Sequence, residues 1–155
     1  MKLVLLMCAS SFALSAQTLK VSSGSAPSGD GVTVVLFFDS AKRDNVLGVQ
    51  WETTFSARQM SIEGSGPTAS DAAKAAGKSL TCTEKTVKEL RSYTCILIGG
   101  QKQIESGPIA VFNFNVSSKA QPGTAPVRFR HAMAVTKDLR KLSLQDTEGT
   151  ITVKR

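Results

Sequence analysis

From Gly31 onward the chain alternates apolar and polar residues with a period of two, in short runs broken by Gly, Pro, Ser, Asn and Asp. A period of two puts successive side chains on opposite faces of a β-strand, whereas an amphipathic helix needs a repeat of 3.6. Val32 to Phe38 is a dense β-branched and aromatic run, entered through a turn-rich stretch from Gly24 to Gly31. Val49, Trp51, Thr53 and Phe55 then share one face, with Gln50, Glu52 and Thr54 on the other. Met60 and Ile62 extend this pattern until Gly64-Ser65-Gly66-Pro67 breaks it. Ser79–Thr83 and Ser92–Ile98 read as two strands joined by a charged, exposed connection, Glu84 to Arg91. Ala110, Phe112, Phe114 and Val116 alternate with Asn113 and Asn115. Val127, Phe129, His131, Met133 and Val135 form the apolar phase of the next strand, with Arg128, Arg130, Ala132 and Ala134 facing the other way. Ile151 and Val153 belong to a last strand that starts at Gly149.

About nine short strands separated by turn signals predict an all-β fold, a two-sheet β-sandwich. One short helix interrupts them. Ser70-Asp71-Ala72-Ala73-Lys74-Ala75-Ala76 is rich in helix formers, with Ser70 placed as N-cap and Gly77 at the C-terminal end. It is expected to lie across a sheet edge or one end of the sandwich.

The first residues read differently. Lys2 is followed by an apolar stretch from Leu3 to about Leu14, then by small residues at Ala13, Ser15 and Ala16. That is the layout of a secretory signal peptide spanning 1–16, with one folded domain over 17–155 and a secreted, extracellular or periplasmic location. Cleavage after Ala16 leaves 18 basic against 12 acidic residues, a net charge of +6. It also removes Cys8, so Cys82 and Cys95 remain, and two cysteines in an exported chain are expected to form one disulfide. Their spacing fits neither a zinc site nor a C-x-x-C redox motif.

Candidate chemistry is sparse. His131, the only His, lies on the apolar phase of its strand and is expected to be a buried or half-buried structural residue. No Gly-x-Ser-x-Gly elbow is present, and Glu52, Glu63, Asp71 and Glu84 are scattered rather than paired. The chain is therefore read as no enzyme, without cofactor or metal. Lys and Arg are dispersed and no RNA-binding aromatic signature accompanies them, which argues against a nucleic-acid partner. Aromatic residues make up only 6% of the chain, and Trp51 and most Phe lie in core phase. Tyr93 alone is left free to be exposed, and a single ring makes no stacking platform for a polysaccharide.

The order of these signals resembles the cohesin domain, a jelly-roll sandwich related to some cellulose-binding modules. Asp30-Gly31-Val32-Thr33-Val34 is similar to the family's opening strand, and Val46 to Phe55 to its third. Ser106 to Val116 is similar to its seventh strand, and Gly149-Thr150-Ile151-Thr152-Val153 to its closing strand. Gly77-Lys78-Ser79-Leu80-Thr81-Cys82 followed by Tyr93-Thr94-Cys95-Ile96-Leu97-Ile98 resembles secreted bacterial cohesin-like proteins. Where cellulosomal cohesins carry a Tyr-Asp-Pro-like corner after the third strand, this chain reads Phe55-Ser56-Ala57-Arg58.

The resemblance implies a non-catalytic module that binds a dockerin-like module or another extracellular protein, in polysaccharide-degrading assemblies. Calcium in such complexes belongs to the dockerin. The partner would lie against the sheet face formed by the third, fifth, sixth and eighth strands. On that face the expected contacts are Gln50, Glu52, Arg128 and Arg130, with Trp51, Phe129, Phe112 and Phe114 turned to the core. The alternatives are direct binding of a polysaccharide and a surface domain without a ligand.

Overall fold

The structure, a computed structural model, describes residues 17–41 and 44–155; the expected export segment, 1–16, lies outside them. Among the described residues the order of elements is β1 (Thr18–Val21), β2 (Gly24–Pro27), β3 (Gly31–Asp39), β4 (Val46–Ser56), β5 (Met60–Ile62), β6 (Thr68–Ala69), α1 (Asp71–Ala75), β7 (Ser79–Val87), β8 (Leu90–Ile98), β9 (Gly107–Val116), β10 (Gly123–Thr136), β11 (Lys141–Ser143) and β12 (Thr147–Lys154). The strands form two sheets. One runs β1-β3-β9-β5, with β6 also on β9; the other runs β2-β12-β10-β4-β8-β7, with β11 also on β10. The chain is thus the expected two-sheet sandwich, with β1, β2, β6 and β11 as short strands that the alternation does not mark.

The core lies between the sheets because each strand can turn only one of its two faces inward. Val34, Leu36 and Phe38 of β3 and Phe112 and Phe114 of β9 face Val49, Trp51 and Phe55 of β4 and Phe129 of β10, all of them buried. Two edge-to-face aromatic contacts cross from sheet to sheet, Phe55 with Phe114 at 5.1 Å and Phe112 with Phe129 at 5.3 Å. This is the arrangement that the ring quadrupoles favour.

Strand β10 departs from the expected phase. It pairs Arg130 with Glu52 and then Met133 with Gln50, so three residues on β10 advance while β4 advances two. That is a β-bulge, and one extra residue exchanges inside and outside for everything after it. Ala132 and Ala134 are consequently buried, whereas Met133 and Val135 turn outward and are only half-buried. His131 sits in the bulge with φ of +51° and is exposed, not a buried structural residue. Its backbone N–H donates to Asp146 Oδ1 at 3.2 Å. The bulge lies opposite Trp51, and beyond it the methyls of Ala132 and Ala134 take the inner face, with Ala134 opposite Val49.

A second departure concerns Glu84 to Arg91. It is no loop; β7 and β8 stay paired from Ser79↔Ile98 to Val87↔Leu90. The two-residue turn between them starts at Lys88, whose φ of +56° is the left-handed conformation such tight hairpins use. Cys82 and Cys95 are directly opposite within this hairpin, bonded to each other with Cα atoms 4.1 Å apart, and so join edge strand β7 to β8.

Helix α1 forms where expected. Ala73 N–H donates to Ser70 Oγ at 3.0 Å, satisfying one of the free N–H groups of the first turn. At the other end Gly77, with φ of +75°, donates to Lys74 O at 2.8 Å and Lys78 N–H donates to Ala73 O at 3.0 Å. These two bonds make a Schellman motif, for which a residue free to be left-handed is required at Gly77.

The turn between β10 and β11 is closed by Leu139 N–H donating to Thr136 O at 2.9 Å and Thr136 N–H donating to Arg140 O at 3.0 Å. Leu139 occupies it with φ of +61° and its side chain 82% exposed. A left-handed backbone costs a residue with a Cβ about 1–2 kcal/mol. Leu139→Gly should therefore stabilise the protein by about 0.5–1 kcal/mol after the greater chain entropy of glycine is deducted. A rise in the urea midpoint with unchanged slope is the expected readout; a fall would mean that the leucine side chain holds the turn.

Candidate functional site

The outer face of β10-β4-β8-β7 is the broad surface that the sequence marked, and its composition follows from register. Reading across the strands, Arg128 is opposite Thr54, Thr54 opposite Ser92, and Ser92 opposite Lys85. The next row is Arg130, Glu52, Thr94 and Thr83, followed by Met133, Gln50, Ile96 and Thr81. In the last row Val135 is opposite Gly48 and Ile98 opposite Ser79. Gly48 is required there by contact: a Cβ on it would come within 2.9 Å of Ile98 Cγ2. The missing side chain lets Ile98 lie down over β4.

All four expected residues are on this face. Arg130 is exposed, and Gln50, Glu52 and Arg128 are half-buried. Glu52 is held on both oxygens, since Ser92 Oγ donates to Oε1 at 2.6 Å and His131 Nδ1 lies 3.2 Å from Oε2. Arg128 donates through Nε to Glu148 Oε2 on β12 at 2.8 Å. Arg130 has no ion pair among the described residues, which leaves its guanidinium open to a partner.

The same face carries aliphatic residues that the expected set lacked. Ile96 and Ile98 are 38% and 55% exposed, and the bulge brings Met133 and Val135 beside them across Gln50 and Gly48. The surface is therefore a short apolar strip flanked by Arg128, Arg130, Glu52 and His131. Strand β8 did carry a signal for half of it. Thr94, Ile96 and Ile98 alternate with Tyr93, Cys95 and Leu97, so this strand is apolar on both sides at its C-terminal end.

Tyr93 is a correction. It is buried, stacked near Phe55 with ring centroids 6.1 Å apart, and not free for a ligand. Burial, with Glu84 nearby, pushes its phenol pKa up. Among the described residues Phe37 is the only exposed aromatic side chain, and it belongs to the opposite sheet. No group of three or more His, Cys, Asp or Glu side chains that could hold a metal ion occurs among the described residues.

Comparison with known proteins places this geometry. The sequence matches the family profile of the cohesin domain over residues 17–153. No curated protein sequence matches the chain. Among solved structures, the sixth cohesin of scaffoldin B from Acetivibrio cellulolyticus, in complex with the Cel5 dockerin, is similar with a TM-score of 0.71 at 16% identity, covering 90% of this chain and 99% of that one. A cohesin from a type I cohesin–dockerin complex of Clostridium thermocellum gives 0.69 at 14% identity, covering 90% and 99%. A non-cellulosomal cohesin from the archaeon Archaeoglobus fulgidus gives 0.71 at 11% identity, covering 90% and 92%. With the sandwich, its strand order and a family match across nearly all the described residues, the chain belongs to the cohesin family.

Proposed function

We propose that the chain is an exported, non-catalytic interaction module whose β10-β4-β8-β7 face captures a dockerin-like or other extracellular protein module. The observation that carries this reading is the composition of that face: an aliphatic strip of Ile96, Ile98, Met133 and Val135 edged by charges, with no aromatic ring. Apolar centres flanked by charged groups suit protein partners, because the strip supplies desolvated contact and the charges set register and choice. A flat polysaccharide calls for exposed rings, and Trp51 and Tyr93 are both in the core. The solved cohesins from A. cellulolyticus and C. thermocellum are dockerin complexes, which makes calcium-loaded dockerin modules the probe to use first.

The test is capture of a panel of calcium-loaded dockerins by the immobilised protein, run beside pull-down on insoluble cellulose. Arg128→Glu combined with Arg130→Glu should weaken dockerin capture by about tenfold or more, with thermal stability nearly unchanged because exposed ion pairs contribute little. Unchanged capture would remove this face from the interface. Retention on cellulose in the absence of any protein partner would replace this function with glycan binding.

A further inference from the structure

Lys78 is the one charged residue in the buried interior among the described residues, only 3% exposed. The Schellman turn at the end of α1 delivers it there. Its Nζ donates to Gly99 O at 2.6 Å and to Leu47 O at 3.0 Å, joining the end of β8 to the start of β4. An ammonium has three N–H donors, so one remains beyond these two carbonyls. No carboxylate lies within ion-pair distance of it among the described residues. Burial without a counter-charge pushes its pKa down, as desolvation of a cation must. Buried charges are ordinarily paired, because an isolated one is costly.

Lys78 also lines a groove of about 560 Å3 between α1 and the segment 102–109. The size is that of small-molecule sites. Its walls are the short side chains of Ala72, Ala75 and Ala76 on one side and Ile104, Pro108 and Ile109 on the other, with Gln103 and Ser106 adding polar groups on that second side. The exposed residues Lys102 and Glu105 also line it, with opposite charges that nearly cancel. No aromatic ring takes part. The groove is separate from the outer sheet face, whose rows contain none of these residues.

We propose that this groove binds a small free monocarboxylate with an aliphatic body, the carboxylate neutralising Lys78 and the chain lying along the alanines of α1. A carboxylate supplies the missing counter-charge and accepts the remaining N–H in a charge-assisted bond. Methyl-sized walls without rings suit an unbranched chain, whose burial adds to affinity with each methylene. One anionic head suffices because one buried cation is present, and Lys102 and Glu105 together offer a second negative group no net charge.

The probe is sodium octanoate, followed through the backbone amides by two-dimensional NMR, with 1-octanol and sodium acetate as controls. Octanoate should give saturable shifts confined to α1, Lys78 and residues 102–109. The alcohol, which lacks the charge, should bind about tenfold more weakly or worse, and acetate should not saturate. Lys78→Gln should lose the preference for acid over alcohol. Should that variant fail to fold, Ala76→Leu decides alone: it narrows the groove with a branched side chain, leaves Lys78 itself unchanged, and should weaken octanoate binding by about tenfold. Absence of saturable shifts, equal affinity for the alcohol, or undiminished binding by Ala76→Leu would each overturn the site.

Discussion

Trp51→Ala should cost about 3–5 kcal/mol of unfolding free energy, the largest effect expected of any single substitution in this protein. Trp51 is fully buried on β4, which pairs with β10 on one side and β8 on the other. Removing the indole deletes its transfer free energy and leaves a cavity that two flanking strands, fixed by their own hydrogen bonds, can only partly close. Domains of this size are stable by only about 5–15 kcal/mol, so the variant would stand near the edge of unfolding. Because Trp51 is the only tryptophan, the measurement is urea denaturation followed by far-ultraviolet circular dichroism rather than by fluorescence. A loss below about 1 kcal/mol would contradict its place in the core. Any loss of ligand binding in this variant would report unfolding, and must be read beside its melting curve.

The second large effect concerns the hairpin. Replacing both Cys82 and Cys95 by alanine should lower stability by about 3 kcal/mol, the chain-entropy value for a loop as short as their separation of 13 residues. The β-rich spectrum should persist, because β8 remains hydrogen-bonded to β4 along eight residue pairs. Unfolding the wild-type protein with and without a thiol reductant supplies the check: the reduced wild type should match the double variant. Equal stability of oxidised and reduced protein would show that the bond adds nothing the sheet has not already enforced.

Much of the architecture was legible because β4 from Val49 onward, β9 from Ala110 onward and the first half of β10 obey one rule. In Val49-Gln50-Trp51-Glu52-Thr53-Thr54-Phe55, alternation alone assigns every residue to the correct side. The same rule fails after Arg130, since one inserted residue leaves the alternation of the sequence intact while inverting its meaning in space. Ala and Met are both apolar, so no change of polarity marks the switch. Glu84 to Arg91 misleads for another reason. β7 is an edge strand, and charges are tolerated there, as they are in a loop, because one side of the strand remains in water. For the proposed binding face, the four charged and polar residues were legible from β4 and β10, whereas the aliphatic strip needed the register of three strands at once.

The extra residue at His131 also bears on how related chains could diverge. Deleting that residue would straighten the strand and keep both faces, whereas one residue inserted after it, with the bulge kept, would turn Met133 and Val135 inward and send Ala132 and Ala134 to the surface, exchanging an aliphatic outer strip for a smooth, nearly featureless one. No residue identity would have changed, yet a partner selected on the old surface would find nothing to grip. Insertion of a single residue in this strand is therefore a shorter route to a new specificity than an accumulation of point substitutions, and it carries its own restraint. Methionine and valine turned inward where two alanines stood would overfill a packed interior, so such an insertion must be followed by repacking before the lineage can keep it.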